Sequence, residues 1–194
     1  ISVFIIIITI PIIFSFSEDV WAIIRGSIGI VSAVYGRVEV IHKGKTKTQK
    51  VYRKDRVYLY DTFKTLKNSK MRILFEDGSI LTISENTTME INEFVYSPVK
   101  KKRSFSMRLV LGKIRVLSAN LFGFRKNKFL VRTPTATIGT RGTEHIDYVY
   151  LDRSGNPVTM VGVLSGAVTI FNPQFPEITR TIKANQFSVV MKGA

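Results

Sequence analysis

Apolar and polar positions alternate at period two over most of the chain after residue 28, which is the spacing of β-strands. The clearest unit is MRILFEDGSILTI (71–83), in which two alternating runs flank the turn pair Asp77-Gly78. A strand–glycine–strand rhythm returns in MRLVLGKIRVL (107–117) and TMVGVLSGAVTIF (159–171). Apolar stripes at helical spacing with capping residues are missing. The pattern therefore predicts an all-β fold, built as a single domain of the short-stranded β-roll, solenoid-like or jelly-roll-like type.

The first 17 residues, ISVFIIIITIPIIFSFS, carry no charge and are almost entirely apolar. A membrane-spanning helix needs about 20 apolar residues, whereas the core of a signal peptide needs about 7–15. The length and the internal proline favour a signal peptide over residues 1–17, cleaved after Ser17 or after Ala22, and an uncleaved membrane anchor is the alternative. Either interpretation exports the β domain, residues 28–191, to the periplasm, the cell envelope or the medium.

The chain has no cysteine, which removes disulfides, thiolate metal sites and a cysteine nucleophile. Its net charge of +15 suits an acidic partner, either an envelope protein or an acidic envelope polymer. Export makes nucleic acid an unexpected partner, and contact with a membrane is expected only through an uncleaved N-terminal segment. The alternative is that exposed lysines only keep strand edges soluble. The candidate partner-binding residues lie in two basic loops: Lys43, Lys45, Lys47, Lys50, Arg53 and Lys54, and Lys100, Lys101, Lys102 and Arg103.

The stretch RTPTATIGTRGTEH (132–145) invites a test for phosphate binding and for catalysis. A phosphate loop is not indicated, because no Lys-Ser or Lys-Thr pair follows Gly142 and the next segment alternates like a strand. On that strand, His145 and Asp147 point to one face and Glu144 to the other. Since the chain has only two histidines and no G-x-S-x-G elbow, we assign no catalytic residue, no metal site and no cofactor.

A structural role explains these residues better than phosphate binding or catalysis does. Thr133, Thr135 and Thr137 are expected on one face of an extended strand, with Pro134 at its beginning or at an edge, because proline cannot donate a ladder hydrogen bond. The glycines that follow, Gly139 and Gly142, predict a bulge or a corner with close backbone approach.

Arg141 lies between these glycines, and its guanidinium is expected to pin the corner by bonding to a carboxylate, Glu144 or Asp147, or to carbonyl oxygens at the corner. On this hypothesis Arg141→Ala costs more stability than the loss of a surface arginine. Gly142→Val is expected to cost about 1–3 kcal/mol through backbone strain.

The stretch TPTATIGTRGTEH resembles the central signature of the FecR domain, in which a Thr-Pro-x-Ala segment runs into a Gly-x-Arg-Gly-Thr turn. The blocks FEDGSILTISENTTMEI, LVLGKIRV and VGVLSGAVTIF resemble the strand pairs around that signature, in the same order. Two positions differ from the family pattern, His145 in place of a bulky apolar residue and Asn185 in place of a glycine. The residues on the signature are Thr133, Pro134, Ala136, Gly139, Arg141, Gly142 and Thr143.

This resemblance implies a bacterial cell-envelope domain of short β-strands. In sensor members of the family the domain lies outside the cytoplasmic membrane and is contacted by a siderophore-loaded outer-membrane transporter, and an N-terminal cytoplasmic segment relays the signal to a sigma factor. We expect a stand-alone, exported, non-catalytic module that binds a protein or polymer or acts as a scaffold. The alternative is the extracytoplasmic part of such a relay, which requires a cytoplasmic segment before Ile1.

Overall fold

A computed structural model describes residues 26–191, apart from the side chain of Pro176. These residues contain sixteen β-strands and no helix, so the predicted all-β class is confirmed and no described segment has the long apolar helix that a membrane crossing by a helix needs. The predicted signal peptide lies outside the described residues. The strands are β1 Gly29–Tyr35, β2 Val38–Ile41, β3 Gln49–Lys50, β4 Arg56–Val57, β5 Thr62–Thr65, β6 Lys70–Phe75, β7 Ile80–Ile83, β8 Thr87–Ser97, β9 Lys102–Leu117, β10 Lys126–Arg132, β11 Thr137–Thr140, β12 Glu144–Leu151, β13 Pro157–Ser165, β14 Ala167–Asn172, β15 Phe175–Lys183 and β16 Phe187–Met191.

The strands form two leaves that share β9. The first leaf has the order β4-β1-β6-β7-β9-β12-β13-β16, and the second has the order β3-β2-β5-β8-β9-β10-β11-β14-β15. Only β9 and β10 run parallel, and the other pairings between the described strands are antiparallel. The sixteen-residue β9 pairs in the second leaf through Lys102–Leu111 and in the first through Gly112–Leu117.

The chain winds between the leaves as a roll, and each of ten crossings between the described strands holds one residue in the left-handed region. Glycine and asparagine dominate these positions, because a positive φ costs them least. The residues are Gly36, Lys54, Tyr60, Asn68, Asn86, Gly112, Gly123, Gly142, Gly166 and Asn185. Asn185, which departs from the family pattern, has a φ of 64° and so fills the role of the usual glycine.

The predicted strand–glycine–strand units have two different structures. Residues 71–83 form the expected hairpin of β6 and β7, with Gly78 at a φ of 82°. In contrast, 107–117 is one strand that bends at Gly112, and 159–171 contains two strands in different leaves joined at Gly166. Two of the predicted strand pairs are therefore crossings between the leaves.

Aromatic rings fill the space between the leaves. Phe75 from the first leaf meets Phe105 from the second with ring centroids 4.6 Å apart, and Phe105 meets Phe129 at 4.5 Å, both edge to face. This geometry is favoured for aromatic pairs. Met107 and Ile114, both fully buried, continue the core along β9 on either side of its bend.

Candidate functional site

The signature begins with a hairpin turn. Residues 133–136 connect β10 to β11, and Pro134 is exposed at the turn. The Thr133 amide donates to the Ala136 carbonyl at 2.8 Å, and the Ala136 amide donates to the Thr133 hydroxyl oxygen at 2.8 Å. The expectation that Thr133, Thr135 and Thr137 line one strand was therefore wrong for the first two, because proline favours a turn here and a side-chain hydroxyl closes it. Thr137 begins β11.

The threonines of this turn join the second leaf to the first. The hydroxyl oxygens of Thr133 and Thr135 each lie 2.7 Å from that of Thr159 on β13. Thr135 also donates to the carbonyl of Val190 on β16, at 2.9 Å. All three threonines are buried, so their hydroxyls are used within the protein.

A second polar cluster lies where the signature ends. The Thr143 amide donates to the Ser118 hydroxyl oxygen at 3.0 Å, and the Ser118 amide donates to the Thr143 carbonyl at 3.0 Å. The hydroxyls of Thr140 and Thr143 also contact each other. Gly142, with a φ of 64°, turns the chain from β11 into β12 at this point. The predicted corner thus exists at Gly142, whereas Gly139 lies inside β11 and is not part of it. Hydrogen bonds tie the corner to Ser118, next to the end of β9.

The predicted role of Arg141 was wrong. Its side chain is exposed, and neither predicted carboxylate bonds to it. Glu144 accepts a hydrogen bond from Arg115 Nε at 2.7 Å, and Asp147 is bonded to His145. The corner is held by Ser118 and the threonines, so Arg141→Ala is now expected to behave as a surface substitution.

Arg103 corrects a second expectation, because it is buried and not part of a partner-binding surface. Its Nη1 lies 3.1 Å from Asp77 Oδ2, and its Nε donates to Asn127 Oδ1 at 2.7 Å. Its guanidinium also lies 5.2 Å from the Phe129 ring centre. Burial lowers the pKa of Arg103 from its ordinary value, and the bond to Asp77 opposes that change. Alternation along β9 explains the placement, since Lys102 points outward and the next residue inward.

The remaining residues of the two basic loops are exposed, as a partner-binding surface requires. Lys43 places its ammonium 4.0 Å from the Tyr60 ring centre, and Lys50 lies 5.2 Å from that of Tyr52. Such cation–π pairs contribute little at exposed sites. The exposed basic residues are Lys43, Lys45, Lys47, Lys50, Arg53, Lys54, Lys100, Lys101 and Lys102.

Both histidines pair with an aspartate. His145 and Asp147 share the inner face of β12, as predicted, with Nδ1 and Oδ1 at 2.9 Å and both side chains fully buried. His42 Nδ1 lies 2.7 Å from Asp61 Oδ1, and the Tyr58 amide donates to Asp61 Oδ2 at 2.9 Å. Burial raises the pKa of Asp61 above its ordinary value, although His42 and the Tyr58 amide oppose the change. Over residues 26–191 no group of three or more histidine, aspartate or glutamate side chains has the arrangement of a metal site.

Sequence reasoning missed an open groove of about 890 Å³ on the first leaf. It lies beyond the end of β7 and the bend of β9 at Gly112, where both strands leave for the second leaf and the end of β12 extends past its partner β9. Tyr35 and Tyr148 line it, together with polar side chains that include Asn86 and Lys113. The only sequence signal for the groove is that β7 is short. The groove itself results from the pairing of β12 with β9, which the sequence pattern does not reveal.

This chain is similar to a known protein family and to solved structures. A family model with the description "FecR protein" matches residues 61–169. Two crystal structures of a candidate anti-sigma factor from Parabacteroides distasonis ATCC 8503, at 1.65 and 2.50 Å resolution, share the fold with a TM-score of 0.51 and 17% identity. The match covers 68% of this chain and 55% of the other, so the chain spans about half the length of that relative. No curated protein gives a significant match.

Proposed function

The chain belongs to the FecR protein family, and on that premise we propose that it is the extracytoplasmic part of a transmembrane relay that passes a signal to a sigma factor. The single observation that carries the proposal is the family match, which runs from β5 into β14 and includes the whole signature. The fold likeness to a candidate anti-sigma factor supports the same assignment.

The geometry is compatible with a non-catalytic, regulatory role. The signature threonines bond to each other, to Thr159 and to Ser118, and the buried His145–Asp147 pair has no exposed surface for a substrate to reach. The domain would therefore act through its surface, by binding. A stand-alone scaffold module draws no specific support from the comparisons, and the relay fits them better.

The relay has a defined test in the native bacterium. The coding region is deleted, and transcripts are measured with and without iron limitation, because an iron- or siderophore-type signal is the stimulus that the family resemblance suggests. We expect one group of genes with a shared promoter type to change, and to recover when the wild-type chain is restored. An unchanged transcript profile in both conditions contradicts the relay.

The membrane topology of the protein gives a second, independent test. A relay requires the β domain outside the cytoplasm and a cytoplasmic segment on the N-terminal side of Ile1. Alkaline phosphatase fused after Met191 should be active, and a green fluorescent protein fused at the same position should not fluoresce. Fluorescence would show that the β domain stays in the cytoplasm. Sequencing the N-terminus of the cellular protein then shows whether the cytoplasmic segment is present, and its absence contradicts the relay while leaving export intact.

A further inference from the structure

Two tight turns lie side by side at one end of the second leaf. In the turn of residues 98–101, which leads into β9, the last amide donates to the first carbonyl at 3.1 Å. The turn of residues 121–124 leads toward β10 and has the corresponding bond at 3.4 Å. The strands that follow run parallel and begin in register, with Lys102 opposite Lys126, so the two turns are neighbours.

Further contacts join the two turns. The Arg125 amide donates to the Lys101 carbonyl at 3.1 Å. The rings of Tyr96 and Phe124 are stacked, with their centroids 6.1 Å apart and their planes 7° from parallel. Residues 98–102 and 121–126 therefore form one surface although they are distant in sequence, and we call it the turn surface.

The second residue of each turn is apolar and projects into the solvent. Val99 is 94% exposed and Phe122 is 84% exposed, which are the highest values among the large apolar side chains of residues 26–191. Single exposed apolar residues are common on soluble proteins. Two of them at the tips of neighbouring turns, in contrast, indicate an interaction site.

Each apolar tip is followed by cations. None of them forms an ion pair with another described residue. Residues 94–143, which include both turns, contain twelve lysines and arginines and no aspartate or glutamate, so the positive charge of the turn surface is not compensated locally. The exposed cations of this surface are Lys100, Lys101, Lys102, Arg125 and Lys126.

An anionic lipid bilayer matches both features of this surface. Its phosphate headgroups attract lysine and arginine side chains, and the hydrocarbon beneath them accepts apolar side chains. A soluble polyanion would pair with the cations but would leave Val99 and Phe122 in water. An acidic protein would need a preformed pocket for each protruding tip, whereas a fluid bilayer admits both tips without one.

We infer that the turn surface docks on an anionic lipid bilayer, with Val99 and Phe122 inserted below the headgroups and the five cations at the level of the phosphates. This contact is additional to the one that an uncleaved N-terminal segment would make. It does not depend on a sigma-factor relay, because the turns, their exposure and their charge are properties of the β domain itself.

The test places a fluorescent probe at one tip of the full chain. Trp21, the single tryptophan of the chain, is changed by Trp21→Phe, and Phe122→Trp is added in that background. Emission and quenching by brominated lipids are recorded with vesicles of phosphatidylcholine alone and with vesicles of equal parts phosphatidylcholine and phosphatidylglycerol. Because the probe reports only its own surroundings, binding of the apolar N-terminal segment to either vesicle does not imitate docking.

We expect the Phe122→Trp probe to shift its emission to the blue and to be quenched with the phosphatidylglycerol vesicles only. Phe187→Trp in the same background is the matched control, because Phe187 is 71% exposed on β16 in the other leaf. Its emission should not change with either vesicle. No quenching of the Phe122→Trp probe, or equal quenching in both kinds of vesicle, overturns the inference, as does equal quenching of the two probes.

Charge reversal tests which cations act. Lys100→Glu combined with Arg125→Glu should lower the ratio of docked to undocked protein about tenfold or more, measured by quenching of the Phe122→Trp probe. Lys47→Glu combined with Arg53→Glu changes the net charge equally in the other basic loop, and should lower that ratio less than about twofold. Circular dichroism should be unchanged, because all four side chains are exposed.

Equal losses from the two pairs of reversals overturn the inference, because the net charge of the protein would then explain the binding. Soluble polyphosphate distinguishes a bilayer from a polyanion in solution. We expect it to leave the emission of the Phe122→Trp probe unshifted, since it offers no hydrocarbon to the tip. A blue shift as large as the one with phosphatidylglycerol vesicles overturns the inference, because no bilayer would then be needed.

Discussion

At the residue scale, the fold depends on a fully buried arginine. Arg103 and Asp77 have no exposed side-chain surface, and removing one partner leaves the other charge buried without compensation. Arg103→Ala is therefore expected to lower the free energy of unfolding by about 3–5 kcal/mol. Its exposed neighbour Lys102 is the matched control, and Lys102→Ala should stay within about 0.5 kcal/mol. Denaturant unfolding of the two variants gives both values, and equal stabilities contradict the role of the pair.

The buried carboxyl of Asp61 gives the fold a pH dependence of defined sign. Its pKa is raised from 3.8, chiefly by burial, so the folded state favours the protonated form. Its contribution to stability is present below pH 3.8 and is lost as the pH rises through the raised pKa. In Asp61→Asn the side chain stays neutral, so the stability of the variant relative to the wild type should increase from about pH 3 to about pH 7.

Asp152 supplies a control of opposite sign. Its pKa is lowered, first by the backbone hydrogen bond from Asn156, so its contribution is present above pH 3.8 and is lost as the pH falls through the lowered pKa. Asp152→Asn should therefore gain relative stability toward low pH. Parallel pH trends for Asp61→Asn and Asp152→Asn contradict the assignment for Asp61.

The two signature glycines are expected to differ in tolerance. At Gly142 the φ is 64°, and a Cβ would lie 2.9 Å from the Cβ of Asn120. Gly142→Val should therefore cost about 1–3 kcal/mol. At Gly139 the φ is not positive and a Cβ would lie 3.6 Å from its nearest neighbour, a methyl carbon of Leu130, so Gly139→Ala should stay within about 0.5 kcal/mol. Thermal melts of both variants check the difference, and a neutral Gly142→Val combined with a costly Gly139→Ala would reverse the assignment.

At the scale of elements, the bend in β9 depends on Gly112. This residue has a φ of 93°, and a Cβ there would lie 2.5 Å from the Thr87 Cα and 2.7 Å from the Asn86 carbonyl oxygen. Both are backbone atoms, so neither can move without shifting the start of β8. Gly112→Ala is expected to cost at least about 3 kcal/mol. Gly162→Ala is the matched control, since nothing lies within 4 Å of its Cβ and its φ is not positive, and a similar loss in both variants contradicts the argument.

The elements also show what the sequence pattern can predict. Strands such as β6, β7 and β12 follow from local alternation, and the face shared by His145 and Asp147 follows from the same rule. A glycine between two strands, in contrast, has the same local pattern whether it closes a hairpin or carries the chain to the other leaf. Gly78 does the first and Gly112 the second, and only the pairing of distant strands decides between them.

The errors at the candidate site have the same origin. Arg103 was assigned to a surface because it ends the run Lys100–Lys102, but the register of β9 with β8 and β10 places it inward. Arg141 was expected to pin its corner, because Glu144 and Asp147 are close in sequence. Each acceptor instead bonds to a partner that the sequence pattern does not reveal, Arg115 across the sheet for Glu144 and the buried His145 for Asp147.

At the scale of the whole molecule, β9 decides how the protein unfolds. It pairs with β8 and β10 in one leaf and with β7 and β12 in the other, and the Phe75–Phe105 contact joins the leaves directly. The signature turn adds a second connection, from Thr135 to β16. Neither leaf keeps its central strand when the other is lost, so the leaves should unfold together.

Native-state hydrogen exchange tests this cooperativity. The amides of Met107 in the second leaf and of Ile114 in the first should exchange with the same free energy, equal to that of global unfolding, because both lie in the shared strand β9. The amides of Val161 on β13 and Val131 on β10 extend the comparison to strands that pair in only one leaf. Equal values across all four sites, and coincident denaturant transitions by circular dichroism and exchange, are expected. A lower opening free energy at Val131 and Met107 than at Val161 and Ile114 would show that the leaves unfold separately, and that β9 joins two independent units.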